Sequence, residues 1–351
     1  MKLAYIILSH KAPYQLARLV SRLHDEGVTF VIHLCRNMQR EDYRKTRELL
    51  KSYSNVFFCK REDGSWGEFG ITQAVLNGME LLLHHRIDFD YLNVLSGNDY
   101  PIKSNAYLRN FFENNKGRQF LWVLPVYDYI PLGLPEGQIY GEGWKGYVHP
   151  WGSEHRFLRF EKYWYSMLGE RLMIIPETRF LNKPLWNVLK IFLYNLPAYY
   201  RQKKVRREFL LMLLSLTHQR KRETPQGFTP YAGSQWFSVT RDCTEYIVHT
   251  ARQHPELKKF FKHTLLSDES FFSTILAHSP YMLQLAQCNY RYIRWSGSGP
   301  RTHPVILTRE DLPALKASDK LFARKFDISV DSTILDLIDR EILFKSREHE
   351  P

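Results

Sequence analysis

The sequence predicts an α/β fold built on a mostly parallel sheet with helices on its faces. Over residues 1–125, short β-rich runs alternate with stretches of helical periodicity, which is the pattern of βαβ units. Strand-like runs return after about residue 227. With 351 residues, of which 44% are hydrophobic, the chain is long enough to bury a large core.

The predicted elements follow from hydrophobic periodicity and its interruptions. Five strands are predicted in the first part of the chain, at Leu3–Leu8, Thr29–His33, Asn55–Cys59, Tyr91–Leu95 and Gln119–Leu124. Later strands are predicted at Gly233–Val239, Asn289–Trp295 and Pro304–Leu307, and helices at 71–82, at 185–222, from Asp311 and at about 332–344. We divide the chain into residues 1–125, 126–230 and 231–351, and expect the first and last parts to pack as one domain.

The middle part contains two unusual segments. From Val126 to Trp151 the periodicity is lost among Tyr, Trp, Gly and Pro, which predicts either a loop that stacks aromatic rings on sugars or a packed aromatic insertion. Residues 185–222 combine the apolar runs Ile191–Tyr194 and Phe209–Leu214 with clusters of Arg and Lys, which lie within 201–222. This pattern predicts either a peripheral contact with an anionic membrane or a core helix with solvated ends.

The composition limits the class of protein and its partners. A formal net charge of +12 predicts an anionic partner, which can be a nucleic acid, a lipid headgroup or a phosphorylated small molecule. The four cysteines form no CxxC pair, so that neither a zinc site nor a disulfide framework is indicated. The apolar run after Met1 is too short for a signal peptide or a membrane span. We therefore expect a cytoplasmic location.

Two adjacent carboxylates precede an apolar helical pattern late in the chain. Asp268 and Glu269 come directly before Phe271–Leu276, and we expect Ser267 or Asp268 to cap the first turn. A carboxylate fixed in such a turn can serve as a general base. The alternative is that the pair only complements the helix dipole.

Polar loops follow several of the predicted strands. Ligands of doubly wound sheets bind beyond the carboxyl ends of the strands, where this chain has Ser9–Lys11, Leu34–Arg36, Gly64–Gly67 and Ser96–Pro101. The chain has no GxGxxG and no Walker A motif, which argues against a dinucleotide-binding Rossmann enzyme and a P-loop NTPase. We expect the four loops to form one rim of a ligand site.

Eight segments occur in order over nearly the whole chain: Tyr5–His10, Val31–His33, Ser65–Gly67, Leu95–Ile102, Gly233–Phe237, Asp268–Glu269, Arg294–Trp295 and Leu321–Asp327. Together they resemble the family of core-2/I-branching β-1,6-N-acetylglucosaminyltransferases and peptide O-xylosyltransferases. The resemblance implies a GT-A type glycosyltransferase fold, with a Rossmann-like nucleotide-sugar-binding first part and a catalytic last part. Residues 126–230 match poorly and are expected to form a helical and aromatic insertion on the acceptor side.

The resemblance implies an inverting glycosyltransferase that uses a UDP-sugar and no divalent metal. Such an enzyme needs a base for the acceptor hydroxyl and cations for the departing diphosphate. The family's glutamate maps onto Glu269 and its lysine onto Lys325. The family's arginine maps to a position next to Arg301. We choose Arg301 for the second cation, with Arg294 and Arg309 as alternatives. Two such cations can replace a metal through charge-assisted hydrogen bonds to phosphate oxygens.

The resemblance also assigns the binding residues. Those expected at the donor nucleoside and sugar are Ser9, His10, His33, Cys35, Ser65, Trp66 and Asp99, and those expected at the acceptor are Trp236, Asp268 and Trp295. Two positions depart from the family pattern: Cys35 replaces an aspartate near the nucleoside, and Gly297 replaces an aromatic residue on the acceptor side. We therefore expect a different acceptor. For Asp99, an Asx-type turn is the alternative role.

A metal site is the alternative to the two cations. Asp88 and Asp90 have the Asp-x-Asp form that metal-dependent GT-A enzymes use. They precede the predicted strand Tyr91–Leu95, however, and should lie at the edge of the sheet opposite to the ligand loops. We therefore expect no metal cofactor.

The favoured function is transfer of N-acetylglucosamine, xylose or a related sugar to a glycan or a lipid-linked glycan, in cell-surface or secreted polysaccharide synthesis at the cytoplasmic membrane face. No nucleic acid partner is then expected. One alternative is a sugar-nucleotide-binding or glycan-binding protein without catalysis, which Cys35 favours. The other is a nucleic-acid-binding protein, which the aromatic and basic residues of Tyr290–Trp295 favour.

Overall fold

The protein is built around a five-stranded sheet. The computed structural model describes residues 1–126, 159–220, 222–296 and 303–344. Its strands are β1 (Leu3–Ser9), β2 (Val28–Leu34), β3 (Val56–Phe58), β4 (Tyr91–Ser96), β5 (Asp99–Pro101), β6 (Val123–Pro125), β7 (Tyr163–Met167), β8 (Glu170–Ile175), β9 (Tyr231–Gly233), β10 (Ser238–Thr240), β11 (Arg291–Ile293) and β12 (Phe322–Arg324).

The strand order of the main sheet is β10-β4-β1-β2-β3. Neighbouring strands run parallel except for β10, which is antiparallel to β4. The predicted α/β fold with a mostly parallel sheet is confirmed. Three smaller sheets have the orders β11-β12-β5, β6-β9 and β7-β8.

Helices cover both faces of the main sheet, and two of the described helices belong to the insertion. They are α1 (Pro13–Leu23), α2 (Arg40–Leu50), α3 (Gly70–His84), α4 (Asn105–Asn114), α5 (Leu185–Arg201), α6 (Val205–Thr217), α7 (Arg241–Gln253), α8 (Pro255–Phe261), α9 (Phe271–Ala277), α10 (Leu312–Ala317) and α11 (Thr333–Ile338). Short 3-10 turns occur at Thr178–Phe180, Ser267–Glu269, Met282–Gln284 and Arg309–Asp311, and a π-helical turn at Asp339–Leu343. No helix in the described ranges is both long and apolar enough to cross a membrane.

The central strand β1 shows why the sheet forms where it does. Six of its seven residues are buried, because helices cover both faces of a parallel sheet. On one face, α3 approaches so closely that a Cβ on Gly78 would lie 2.8 Å from Ile6 Cδ1. Glycine at this helical position therefore permits the contact between α3 and β1.

Several predicted strands are shorter or divided in the structure, among them Asn55–Cys59, of which Val56–Phe58 remains, and Asn289–Trp295, of which Arg291–Ile293 remains. In Gln119–Leu124, only the end belongs to β6, while Phe120 makes a single bridge to Ser238. Gly233–Val239 is divided between β9 and β10, because the Ser234 hydroxyl accepts the backbone N–H of Trp236 and turns the chain. Pro304–Leu307 contributes one bridge, from Pro304 to Trp295, since proline has no N–H for a ladder.

The apolar core is divided into three clusters. Two of them lie on the two faces of the main sheet, and each contains residues from both 1–126 and 231–344. The third is formed by β8, α5 and α6 within the insertion, around Met173, Val188 and Leu211. The boundaries at residues 125 and 230 stay predictions.

Candidate functional site

A cavity of about 460 Å³ lies at the carboxyl ends of β1, β2 and β4. Its lining includes seven of the residues that the sequence selected: Ser9, His10, His33, Cys35, Trp66, Trp236 and Lys325. The other lining residues are Leu8, Gly64, Ile71, Ala74, Ser96, Asn98, Gln235 and Arg324. The first and last parts of the chain thus share one cavity, which we call the donor cavity. The role of each residue in it stays a prediction.

The β2 side of the donor cavity is held by backbone groups of the following loop. Nε2 of His33 accepts a hydrogen bond from the Glu62 N–H at 2.9 Å, and burial lowers the pKa of His33 to about 4. The His33 ring is therefore neutral at neutral pH. The Cys35 sulfur accepts from the Gly64 N–H at 3.2 Å. The sulfur at the position where the resemblance expects an aspartate near the nucleoside is thus bonded to the backbone of the loop.

Ser65 and Trp66 have different positions in that loop. Ser65 is buried and donates from its hydroxyl to Asp63 at 2.6 Å, so that it shapes the loop without lining the cavity. Trp66 lies at the cavity rim with 67% of its surface exposed. Its ring is available to stack on a bound molecule.

Asp99 lies beneath the cavity and is completely buried. Its carboxylate accepts from the backbone N–H and the hydroxyl of Ser96, at 3.0 and 2.9 Å. The donor of both hydrogen bonds, Ser96, precedes Asp99 by three positions. In an Asx-type turn the donor would instead be a backbone group two residues after the aspartate. Asp99 therefore shapes the loop after β4, and the contact with the donor that the sequence suggested is corrected because the side chain has no exposed surface.

Asp99 also balances the buried Arg291 and the partly buried Arg324. Nε of Arg324 lies 3.1 Å from Asp99 Oδ1, in an ion pair whose angle is too poor for a hydrogen bond. Arg324 packs over the Trp236 ring at 4.2 Å and lines the donor cavity. Burial lowers the pKa of Arg291 to about 10, and the charge of Asp99 opposes that effect. Sequence reasoning missed Arg324, although it directly precedes Lys325.

The segment that carries Lys325 is tied to the first part of the chain. The Phe326 N–H donates to the Asn98 carbonyl at 2.8 Å, and the Asn98 side chain donates back to the Phe326 carbonyl at 2.7 Å. The buried Gln15 amide bridges the carbonyls of Gly97 and Phe326. These bonds hold Lys325 at the cavity wall.

Two of the three arginines considered as a second cation, Arg294 and Arg309, are described, and neither lines the donor cavity. Arg301 lies outside the described residues. Arg294 pairs with Asp311 at 2.9 Å, and Arg309 pairs with Asp331 at 3.2 Å. Both alternatives thus have carboxylate partners elsewhere, and Arg324 is the guanidinium that the structure places beside Lys325.

The carboxylates Asp268 and Glu269 lie in a turn beside the donor cavity, not in its lining. Ser267–Glu269 forms a 3-10 turn that precedes α9. The expected cap is wrong: the Ser267 hydroxyl bonds to Thr72 of α3 at 2.9 Å, and no side-chain cap is formed at α9. Leu266, with φ of 53°, donates its N–H to the Gly67 carbonyl at 3.0 Å. Both contacts fix the turn against elements that line the cavity.

The two carboxylates have different surroundings. Asp268 is buried, which raises its pKa to about 6, and its Oδ1 has no hydrogen-bond donor among the described residues. The Glu269 side chain is 24% exposed, and its Oε2 lies 3.7 Å from Nη1 of the buried Arg159. Arg159 balances negative charge at this turn, since it also acts on Asp268. Glu269 is thus the carboxylate that solvent or a second substrate can reach.

The predicted acceptor residues have different surroundings. Trp236 is buried and lines the donor cavity, and its acceptor contact stays a prediction. Trp295 lies in the bridge to Pro304, away from that lining. A second cavity, of about 650 Å³, lies beyond Gly67 and includes Trp164, Tyr165, Lys258, Lys262 and Thr264. Most of the aromatic loop, from Tyr127 onward, is outside the described residues.

The carboxylates of the metal alternative are at the far edge of the sheet. Asp88 pairs with Lys2 Nζ at 2.6 Å, and Asp90 accepts from the Lys2 N–H at 2.6 Å. Both precede β4 and so lie opposite to the donor cavity. The described residues contain no group of three or more His, Cys, Asp or Glu side chains that could hold a metal ion.

The basic segment 201–222 is only partly a surface. Its apolar residues Leu210, Leu211 and Met212 are buried in the insertion core. Arg222 is buried as well and donates to the carbonyls of Lys162 and His263, at 2.8 and 2.7 Å. The membrane contact expected for this whole segment is therefore corrected for these residues.

Comparison with known proteins agrees with this architecture. The family model described as Core-2/I-Branching enzyme matches residues 3–123 and 189–316. Xylosyltransferase 2 of Rattus norvegicus is 24% identical over 97% of this chain and 33% of its own length. Xylosyltransferase oxt of Drosophila pseudoobscura pseudoobscura is 22% identical over 95% of this chain and 32% of its own length. The chain spans about a third of the length of these relatives.

Among solved structures, a putative glucose-1-phosphate thymidylyltransferase from Bacillus anthracis in complex with a sucrose matches with a TM-score of 0.27. It is 11% identical and covers 74% of this chain and 80% of its own.

The fold and the family model define a protein of the GT-A class. The chain belongs to the Core-2/I-Branching enzyme family. The resemblance inferred from the eight sequence segments is confirmed, as is the GT-A type fold.

Removal of the Asp99 carboxylate should destabilise the protein strongly. Asp99→Ala leaves the buried Arg291 and the partly buried Arg324 without their balancing charge, so that we expect a loss of roughly 3–5 kcal/mol in the free energy of unfolding. Asp319→Ala is the control, because that carboxylate is 74% exposed and pairs only with Lys320. Chemical denaturation measures both. Equal small losses would show that the Asp99–Arg324 contact contributes little.

His33 should make the stability depend on pH. Its pKa is about 4 in the folded protein against an ordinary value of 6.5, so the unfolded chain binds more protons between these values. Stability is then lost as the pH falls from about 6.5 towards about 4, by up to roughly 1.4 kcal/mol per pH unit.

The test compares urea unfolding at about pH 7 and about pH 5 in the wild type, His33→Gln and the exposed-histidine control His85→Gln. Glutamine can still accept from the Glu62 N–H but does not titrate. Between these two pH values, we expect the free energy of unfolding to fall less in His33→Gln than in the wild type, and as much in His85→Gln as in the wild type. The same loss in all three proteins would contradict the assignment.

Proposed function

We propose that the protein is an inverting glycosyltransferase that transfers N-acetylglucosamine, xylose or a related sugar from a UDP-sugar to a glycan or a lipid-linked glycan. The product would be a β-linkage in a cell-surface or secreted polysaccharide. The observation that carries the proposal is the placement of Lys325 and Arg324 in one cavity, beside a turn that presents Glu269. The names of the relatives, which are xylosyltransferases, support the same class of reaction.

The donor cavity suits a nucleoside diphosphate. Two cationic side chains, Lys325 and Arg324, lie together on one wall, where they can absorb the charge that develops on a departing diphosphate. The neutral His33 ring and the exposed Trp66 lie on the remaining walls. These groups can hold a nucleobase or a sugar by hydrogen bonding and stacking.

Glu269 is proposed as the general base. Its carboxylate is partly exposed and its turn is fixed through Leu266 and Ser267 to the elements that line the donor cavity. A base at this point would take the proton of the acceptor hydroxyl while the cations stabilise the leaving group on the other side. Attack from the side opposite to the leaving group inverts the anomeric centre.

The acceptor is proposed to enter between the two cavities. Asp268 keeps its proposed place at the acceptor on the strength of the family resemblance alone, because its Oδ1 is buried. The second cavity offers Trp164 and Tyr165 as aromatic surfaces for sugar rings. Trp295 keeps its proposed acceptor contact on the strength of the family resemblance alone.

Metal independence and a cytoplasmic location belong to the proposal as well. Metal independence is supported by the cations at the donor cavity. It is also supported by the position of Asp88 and Asp90, which precede β4, whereas the donor cavity lies at the carboxyl end of that strand. The alternative of a non-catalytic sugar-nucleotide-binding protein has one favourable observation. Cys35 stands in the donor cavity, and its sulfur is bonded to backbone.

The variant Glu269→Gln should bind the donor and fail in transfer. Glutamine keeps the size of the side chain but cannot accept the hydroxyl proton, so we expect the rate of transfer to fall by roughly 10²–10⁴. Glu113→Gln, an exposed glutamate on α4, is the control. Transfer is measured by release of UDP with an acceptor panel, and donor affinity by calorimetry. Transfer that survives in Glu269→Gln removes this residue from the mechanism.

UDP should stabilise the protein in the presence of EDTA. At about a hundred times its dissociation constant, a ligand raises the free energy of unfolding by roughly 2.7 kcal/mol. Lys325→Ala should lose most of the UDP-dependent shift in the unfolding temperature, because the diphosphate loses a charge-assisted contact.

Lys116→Ala, a change of an exposed lysine, is the control for this experiment. GDP and CMP test the choice of nucleotide. A shift that requires manganese or magnesium would contradict metal independence, and no shift with any nucleotide would contradict the donor assignment. UDP binding without transfer to any acceptor would favour the non-catalytic alternative.

A further inference from the structure

The insertion exposes an unusual concentration of large apolar side chains. Within the described part of the chain, nine of the fifteen exposed large hydrophobic residues lie between Met167 and Leu213. Isolated exposed apolar residues are common, but a contiguous group marks a binding surface. Most of this group belongs to α5 and α6.

Helix α5 has two faces of different character. Val188, Phe192 and Tyr199 are buried against the insertion core. The opposite side carries four exposed residues, which we call the aromatic face: Trp186 (64%), Leu193 (59%), Tyr194 (87%) and Tyr200 (78%). At 3.6 residues per turn, these positions lie along one side of a helix about 25 Å long. The aromatic face is therefore an extended strip.

Basic side chains surround the aromatic face. Lys190 lies on the same side of α5, with its Nζ 5.5 Å from the Trp186 ring. Arg201, Lys203 and Lys204 follow at the end of the helix and are exposed. α5 contains no acidic residue, and Glu208 of α6 already pairs with Arg179. The strip is thus apolar, aromatic and positively charged at once.

We propose that the aromatic face of α5 binds flat on the surface of an anionic lipid bilayer. Trp and Tyr have an apolar ring and a polar atom, which suits the boundary between headgroups and acyl chains. Leu193 adds apolar area at the centre of the strip, and the four cations attract anionic headgroups. Charge complementarity selects lipid of net negative charge over neutral lipid.

This surface lies mainly before residues 201–222, through which the sequence predicted the membrane contact. The apolar side chains of 210–212 are buried, and α5 supplies more exposed apolar residues than α6, which adds Phe209 and Leu213. Of residues 201–222, only Arg201, Lys203 and Lys204 at the start belong to the proposed lipid-binding surface. The proposal does not depend on the transferase reaction, and its failure would leave the donor and base assignments untouched.

The test is flotation of the full chain with vesicles of phosphatidylcholine alone or mixed with phosphatidylglycerol. We expect binding to the mixed vesicles and little to the neutral ones. The double variant Trp186→Ser/Leu193→Ser should lose roughly tenfold or more in affinity, through lost apolar contact. Lys203→Ala/Lys204→Ala should lose a similar factor, and salt should weaken wild-type binding.

Leu283→Ser is the matched control, because Leu283 is 98% exposed and lies outside the insertion. It should bind as the wild type does. A second readout uses brominated lipid: Trp186→Phe should keep the binding but reduce the quenching of tryptophan fluorescence. Unfolding temperatures with UDP check that every variant is folded.

Two results would overturn the proposal. The first is that the wild type and all variants bind both kinds of vesicle equally, or that the wild type binds neither kind. The other is a dimer in sedimentation experiments that Trp186→Ser/Leu193→Ser abolishes, without any vesicle binding, which would assign the aromatic face to a second copy of this chain.

Discussion

The buried contact between Asp99 and Arg324 joins the parts of the chain that make the donor cavity. Asp99 ends the loop after β4, and Arg324 ends β12, which is paired with β5. A charge buried in this way is stable only with a partner, so each element fixes the position of the other. Gln15 and Asn98 extend the same connection to the Phe326 backbone. The position of Lys325 is a consequence of these bonds.

Charge is distributed unequally around the two cavities. The wall formed by Arg324 and Lys325 is cationic, and the turn with Asp268 and Glu269 is anionic. Arg159 lies at the anionic turn, where its charge acts on both carboxylates. A reaction that separates a proton from a departing anion benefits from such an arrangement, because the two charges are stabilised in different places without movement of the protein.

The sequence predicted the βαβ part of the fold because hydrophobic periodicity is a local property. It also placed Ser9, His33 and Trp66 near one another, because the carboxyl ends of parallel strands meet at one edge. It could not predict that Ser267 would bond to Thr72 and leave α9 without a cap, since this contact joins positions 195 residues apart. The burial of Asp99 and the role of Arg324 depend on contacts of the same kind. Local pattern likewise could not show which side of the basic insertion is covered.

The pairing of β12 with β5 and β11 has a consequence for biosynthesis. Residues 322–324 form the middle strand of a sheet, and their partner β5 precedes them by more than two hundred positions in the chain. Lys325 follows this strand directly. A nascent chain on the ribosome therefore lacks a finished cavity until almost all of the described residues have left the exit tunnel. Contacts between such distant segments also slow folding, since a long loop must close before they form.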